Sequence, residues 1–276
     1  MRFLLELPAS GDLKSLREAA LGAQSAGLDG IVLAQAPEMP APLLTAAALA
    51  PELPDLRLAV EVEAGERHPL ELAEEAAVVD LISGGRLVLI TRPAATGLED
   101  YPEALSLLAC ASTARPFTFK GRRWRVPAEL ESNIYRIDSQ VRMMPAPAQL
   151  RMQIWSAGRQ ARPHALSSAL GYLAEPGEER AALGEAYREA ERVLGPALAG
   201  AIRAQRDHLD SVQALTARLR EGRRLFGQDC VVIPGDERTA WVLAEQVLPR
   251  VQLNVLPQGL EEFWARAHAQ LPLAAS

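Results

Sequence analysis

The stretch His68-Pro-Leu-Glu-Leu-Ala-Glu-Glu-Ala-Ala-Val-Val-Asp-Leu-Ile-Ser-Gly-Gly-Arg-Leu-Val-Leu-Ile90 constrains the fold more than any other part of this chain, because it reads as one complete helix-to-strand unit. Pro69 suits a first helical turn, where its missing N–H costs nothing, and Leu70, Ala73, Ala77 and Leu81 recur at helical spacing. Gly84 and Gly85 end the helix, since glycine enters left-handed backbone freely, and a short apolar run begins at once. That run, Leu87 to Ile90, predicts a buried parallel strand.

The same alternation recurs on both sides of this segment. Phe3 to Pro8 reads as a strand, Leu13 to Ala26 as a helix ending at Gly27, and Gly30 to Ala34 as the next strand. Pro42 to Ala50 predicts a helix, Leu56 to Val62 a strand, and Asp100 to Ala111 another helix. Strands alternating with helices at this pace imply a parallel sheet. With 276 residues, 49% of them hydrophobic, a closed (β/α)8 TIM barrel is favoured over an open sheet, as a single domain spanning 1–276.

The rhythm breaks between residues 114 and 150. Phe117-Thr-Phe-Lys-Gly121 followed by Arg122 to Val126 reads as an inserted β-hairpin turned at Gly121, and the Pro-rich run Met144 to Gln149 reads as irregular loop. Beyond it, strands are expected at Met152 to Ser156, Tyr172 to Ala174, Ala199 to Ala204, Cys230 to Pro234 and Val251 to Leu256. Helices are expected at Gln160 to Ala169, Glu178 to Leu194, Ser211 to Phe226, Arg238 to Leu248 and Leu260 to Gln270. This gives one strand more than a barrel of eight can hold, so one of the late strands is surplus.

A net charge of −6 argues against a nucleic-acid surface, for which a basic face is needed. A small, neutral or amphipathic molecule is the better partner. The apolar start Met1 to Leu5 is too short for a signal or membrane span, so a cytoplasmic protein is expected. Cys110 and Cys230 read as two buried free thiols, since nothing in their spacing asks for a bridge. His164, His208 and His268 lie on helical segments with no second ligand four residues on, so no metal site is expected. Phosphate-loop, dinucleotide and nucleophile-elbow motifs do not occur.

Ala26-Gly-Leu-Asp-Gly-Ile-Val-Leu33, Leu56-Arg-Leu58, His68 to Ala73, Leu81 to Leu87, Phe117 to Gly121 and Ile154-Trp-Ser-Ala-Gly158 occur in the order seen in the bacterial luciferase-like monooxygenase family. The resemblance covers most of the chain and is weak between Glu175 and Gln228. It implies a TIM barrel with a reduced flavin, FMN or the deazaflavin F420, at the C-terminal ends of the strands, and often a homodimer. The Ala-rich helix Pro42 to Ala50 offers an apolar face for such pairing.

Sites in this fold are built from the loops after the strands, so the residues following Leu33, Val60, Leu89 and Trp155 are the ones that matter. After the second strand the family places a His or an acidic residue, and Glu38 could substitute, although a loop Glu is ordinarily solvated. Where relatives keep small residues beneath the ring, this chain has Val60-Glu61-Val62-Glu63. A Glu61 facing the mouth would disfavour an anionic reduced ring; it reads either as a carboxylate working on a ligand or as the mark of a closed, altered pocket.

In place of a glycine-rich turn after the fourth strand, Thr91-Arg92-Pro93 occurs. Arg92 could hold a phosphate through charge-assisted hydrogen bonds, or pair with a nearby carboxylate. Ser156-Ala-Gly158-Arg159-Gln160 reads as a strand running through a glycine into a helix, where backbone N–H groups, Ser156 and Arg159 suit the FMN phosphate. His68 is expected to cap its helix, and the basic cluster Lys120 to Arg125 to form a charged hairpin face.

Two functions follow. One is a flavin-dependent oxidoreductase using reduced FMN or F420 on a small organic substrate. The other, motivated by Glu61, Ile90 and Arg92, is a catalytically silent paralogue without flavin, serving as a ligand-binding or partner subunit.

Overall fold

The computed structural model describes residues 2–9, 12–37, 41–65, 67–94, 97–128, 140–167, 171–175, 200–203 and 230–248. Parallel strands β1 (Arg2–Glu6), β2 (Gly30–Leu33), β3 (Arg57–Ala64), β4 (Leu87–Pro93), β7 (Gln153–Ala157), β8 (Gly171–Ala174), β9 (Gly200–Arg203) and β10 (Cys230–Pro234) form a closed barrel in the order β1-β10-β9-β8-β7-β4-β3-β2. The expected (β/α)8 architecture is therefore present. Closure comes from β1, which pairs β2 on one side and β10 on the other, with Phe3 opposite Val231. Among the described residues eight strands complete the ring; the ninth expected strand, Val251 to Leu256, lies outside them, as do the expected helices Glu178 to Leu194, Ser211 to Phe226 and Leu260 to Gln270.

Helices α1 (Leu13–Ser25), α2 (Pro42–Leu49), α3 (Pro69–Ile82), α4 (Tyr101–Ala111), α5 (Arg162–Ser167) and α6 (Glu237–Val242) are described between or after the strands. Alternation along each strand divides two cores. Phe3, Leu5, Ile31, Leu33, Leu58, Val60, Leu87 and Leu89 face outward against the helices, whereas Leu4, Val32, Ala59, Val88, Ile90, Trp155 and Leu173 fill the barrel. Both faces are buried, which is why these strands read as unbroken apolar runs. Each fully buried Leu or Ile contributes roughly 1.5–3 kcal/mol.

The helix-to-strand segment behaves as read. His68 caps α3, its Nδ1 accepting from the Leu70 N–H at 3.2 Å, and its ring meets Trp124 edge-on at 6.2 Å. Gly84 and Gly85 adopt φ of +66° and +84°, closing the helix in left-handed backbone. Arg86 then binds the backbone carbonyls of Ala50, Leu53, Leu56 and Ser83. All four carbonyls lie before β3 or β4, on the face of the barrel opposite the strand C-termini, where a fold-stabilising role is expected. Burial lowers the guanidinium's proton affinity, and the nearby Asp55 charge opposes this. The same edge is tied again by Asp80, fully buried on α3, which accepts from Gln149 N and Nε2 at 2.9 and 2.7 Å.

The inserted excursion contains the expected hairpin, β5 (Phe119–Lys120) paired with β6 (Arg125–Val126). The Glu103 carboxylate of α4 accepts N–H groups from Arg122, Arg123 and Trp124, and Asp100 pairs with Arg122 and Arg123. The basic cluster thus docks the hairpin on α4.

Candidate functional site

Inward-facing residues at the strand C-termini define the mouth. On β3, Glu61 follows Ala59 on the interior face; on β4, Arg92 follows Val88 and Ile90; Glu175 follows Leu173 just beyond β8. Arg92 donates from Nε to Glu61 and from Nη2 to Glu175. The three side chains are 5% (Glu61), 30% (Arg92) and 19% (Glu175) exposed, so Glu61 is the deepest and Arg92 the most accessible. Two carboxylates thus share one guanidinium. Glu61 lies inside the mouth, and Arg92 takes the carboxylate-paired alternative, brought alongside Glu61 by the neighbouring β4.

The third guanidinium nitrogen lies beside Gly158. This glycine has φ +93°, and among the described residues a Cβ built on it would meet one neighbour, Arg92 Nη1, at 3.9 Å. The turn it begins closes through Ala161 N–H to Gly158 O at 3.0 Å and Arg162 N–H to Arg159 O at 3.4 Å, while Tyr172 OH donates to Gly158 O at 3.2 Å. The helix begins at Arg162 and not at Gln160, because those turn bonds come first. Arg159 and Gln160 stand exposed on the turn.

Ser156 does not face the mouth. Trp155 and Ala157 point into the barrel, so Ser156 points outward and is fully buried. Its hydroxyl lies 2.6 Å from Tyr101 OH and 3.5 Å from Thr91 Oγ1, and Thr91 Oγ1 lies 2.9 Å from Tyr101 OH. This network ties α4 to β4 and β7. Burial pushes the Tyr101 phenol up, and its bonds to Ser156 and Thr91 hold the shift back. As a direct ligand of the flavin phosphate, Ser156 is thus withdrawn by strand alternation.

Sequence reading missed Gly65 and Gly97. The loops after β3 and β4 meet there: Gly65 has φ +112°, and a Cβ on it would stand 2.8 Å from Gly97 O. Beside this contact a groove of about 350 Å³, lined by Gln35, Leu43, Leu44, Val62, Glu63 and Arg67, opens between α2 and α3. Glu38 lies outside the described residues. No group of three or more potential metal-ligating side chains occurs among the described residues.

Residues 2–205 match the family model described as luciferase-like monooxygenase. The chain belongs to the luciferase-like monooxygenase family. Solved structures agree on the fold of this family member. The monooxygenase RslO1 from Streptomyces bottropensis is 16% identical, with 91% of this chain and 99% of that one covered at a TM-score of 0.72. The oxygenating constituent of 3,6-diketocamphane monooxygenase from Pseudomonas putida, in complex with FMN, is 13% identical, covering 93% and 99% at 0.67. The coenzyme F420 dependent tetrahydromethanopterin reductase from Methanopyrus kandleri is 11% identical, covering 91% and 99% at 0.65. A comparison with curated proteins gives no match.

In this luciferase-like chain the residues around Gly158 could hold a phosphate group. An open glycine turn beside one guanidinium nitrogen, with Arg159 on the turn, is a donor set for an oxyanion. Where the resemblance implied small residues, this chain has Glu61 and Arg92 as an ion pair. No described helix is long and apolar enough to cross a membrane.

Proposed function

We propose that this chain is a flavin-dependent oxidoreductase that holds reduced FMN, or F420 in its place, at the C-terminal mouth and acts on a small organic substrate. The observation that carries the reading is Arg92 Nη1 facing the open side of the Gly158 turn, at the end of the barrel where this fold places its sites. Gly158, Arg159, Gln160 and Arg92 would take the phosphate. The flavin, when bound, supplies the redox chemistry. The protein's own part is to orient and to exclude water, with Glu61 acting on Arg92 and not on substrate. FMN and F420 in the structurally similar proteins support a flavin-type group without choosing between them.

The test is a titration of purified protein with FMN and with F420, followed by visible absorption. Binding at micromolar concentration, weakened by Arg159→Ala, is expected; no binding of either would sink the reading.

A second reading has its own observation. Arg92, the mouth's inward-facing cation on β4, is already held by Glu61 and Glu175, as a ligand-binding or partner subunit without catalysis would tolerate. Flavin-dependent turnover excludes it. Both readings take residues 1–276 as one cytoplasmic domain. A homodimer is part of the proposal: Leu44 on α2 and Val78, Leu81 and Ile82 on α3 are exposed apolar side chains that pairing would cover. Light scattering of the purified protein decides it.

A further inference from the structure

We propose that Tyr172 is a positioning residue for the Gly158 turn: from behind the barrel wall its hydroxyl fixes the Gly158 carbonyl, and with it the conformation of the turn that receives a phosphate monoester. The proposal rests on the flavin reading solely for which phosphate arrives.

Glycine at 158 gives the turn its φ of +93° and, having no Cβ, leaves the backbone free to adopt other conformations. Selecting one takes a contact from outside the turn. Two donors converge on the Gly158 carbonyl, which has a lone pair for each: the Ala161 N–H at 3.0 Å and the Tyr172 OH at 3.2 Å. The bond from Ala161 is local and forms or breaks with the turn itself, whereas the bond from Tyr172 ties the turn to β8. A trans peptide is planar with its C=O and N–H opposed, so a carbonyl drawn toward Tyr172 and Ala161 turns the Arg159 N–H the other way. A flip of this peptide would put a carbonyl where that N–H stands, and anions are held by N–H groups.

Tyr172 suits the part by reach and by placement. It stands opposite Ser156 in the β7–β8 register, and Gly158 lies two residues further on, about 7 Å along a strand. A tyrosine side chain spans that distance; serine or threonine does not. The ring is fully buried, and because Leu173 points into the barrel Tyr172 points outward, away from the mouth. Arg92 reaches the turn from the inward side, where its Nη1 lies near the place a Cβ would take. The turn is held from behind and open in front.

The experiment titrates wild type, Tyr172→Phe and Tyr101→Phe with FMN, riboflavin and inorganic phosphate, reading dissociation constants by calorimetry, and follows hydrogen exchange of the Ala161 amide in the free proteins. Tyr172→Phe keeps the buried ring and loses the hydroxyl. It is expected to loosen FMN and inorganic phosphate about fivefold, to change riboflavin by less than about twofold, and to speed Ala161 exchange about fivefold with the β7 amides unmoved. Tyr101→Phe removes a buried hydroxyl that does not touch the turn and is expected to move none of these by more than about twofold. A purely structural part for Tyr172 would loosen FMN and riboflavin alike, or give the same losses in Tyr101→Phe, and either result overturns the proposal. If FMN and riboflavin bind and Tyr172→Phe leaves FMN unchanged, the positioning role falls and the flavin reading stands. If neither flavin binds and inorganic phosphate shows the loss, the positioning role stands and the flavin reading falls. Binding of none of the three overturns both.

Discussion

Arg92 on β4 donates its Nε–H to Glu61 on the adjacent β3, and this bond joins two residues that the sequence presented as separate candidates. Removing one member of a buried ion pair strands the other. The general cost is about 3–5 kcal/mol, and the partial exposure of Arg92 reduces it to about 2 kcal/mol. Arg92→Met should lower the urea midpoint accordingly, and the double variant Glu61→Leu/Arg92→Met should recover part of the loss, since Glu175 still lacks Arg92. An unchanged midpoint in Arg92→Met would show that the pair carries no structural weight.

Tyr101→Phe tests the assignment of Ser156. It leaves two buried hydroxyls, Ser156 and Thr91, short of a partner 2.6 and 2.9 Å away, at a cost of about 1–3 kcal/mol. Flavin affinity should stay within about twofold, since the network lies behind β4 and β7 and not in the mouth. A large loss of affinity without a loss of stability would return Ser156 to the site.

Cys230 gives a pH dependence of definite sign. Burial pushes its thiol from 9.0 up to about 12. Between those values the unfolded chain releases the proton and the folded chain keeps it, so stability falls as pH rises from about 9 to about 12, by about 1.4 kcal/mol per pH unit. Tyr101, also shifted upward by burial, adds a loss of the same sign above pH 10. Urea unfolding between pH 8 and pH 11 should show a shallower decline for Cys230→Val than for wild type. Thiol reagents at pH 8 should reach Cys110, which is partly exposed, well before Cys230.

Gly65→Ala and Gly27→Ala separate backbone strain from collision. Both glycines have positive φ, which costs a side chain about 1–2 kcal/mol. Among the described residues a Cβ at Gly27 meets nothing within 4 Å, whereas at Gly65 it stands 2.8 Å from the Gly97 carbonyl. Thermal melts should place Gly65→Ala clearly below Gly27→Ala; equal melting temperatures would mean that the two loops do not rely on this approach.

The most specific segment of the sequence proved structural. Gly84, Gly85 and Arg86 close α3 and bind four carbonyls on the face away from the mouth, so the motif that pointed to the family is about holding the barrel. The sequence offered one strand more than a ring of eight takes, and closure between β1 and β10 is a long-range fact that no local apolar run announces.

By itself the sequence determined the order of elements, the inserted hairpin and the family, because helix periodicity, glycine stops and apolar runs are local signals. The tertiary structure alone decided the site. Parallel strands buried on both faces carry no polar alternation, so nothing in the chain said that Ser156 turns outward while Glu61 and Arg92 turn in. Arg92 meets Glu61 across 31 residues and Glu175 across 83, and a pairing at those separations exists only once the barrel brings β3, β4 and β8 to one mouth.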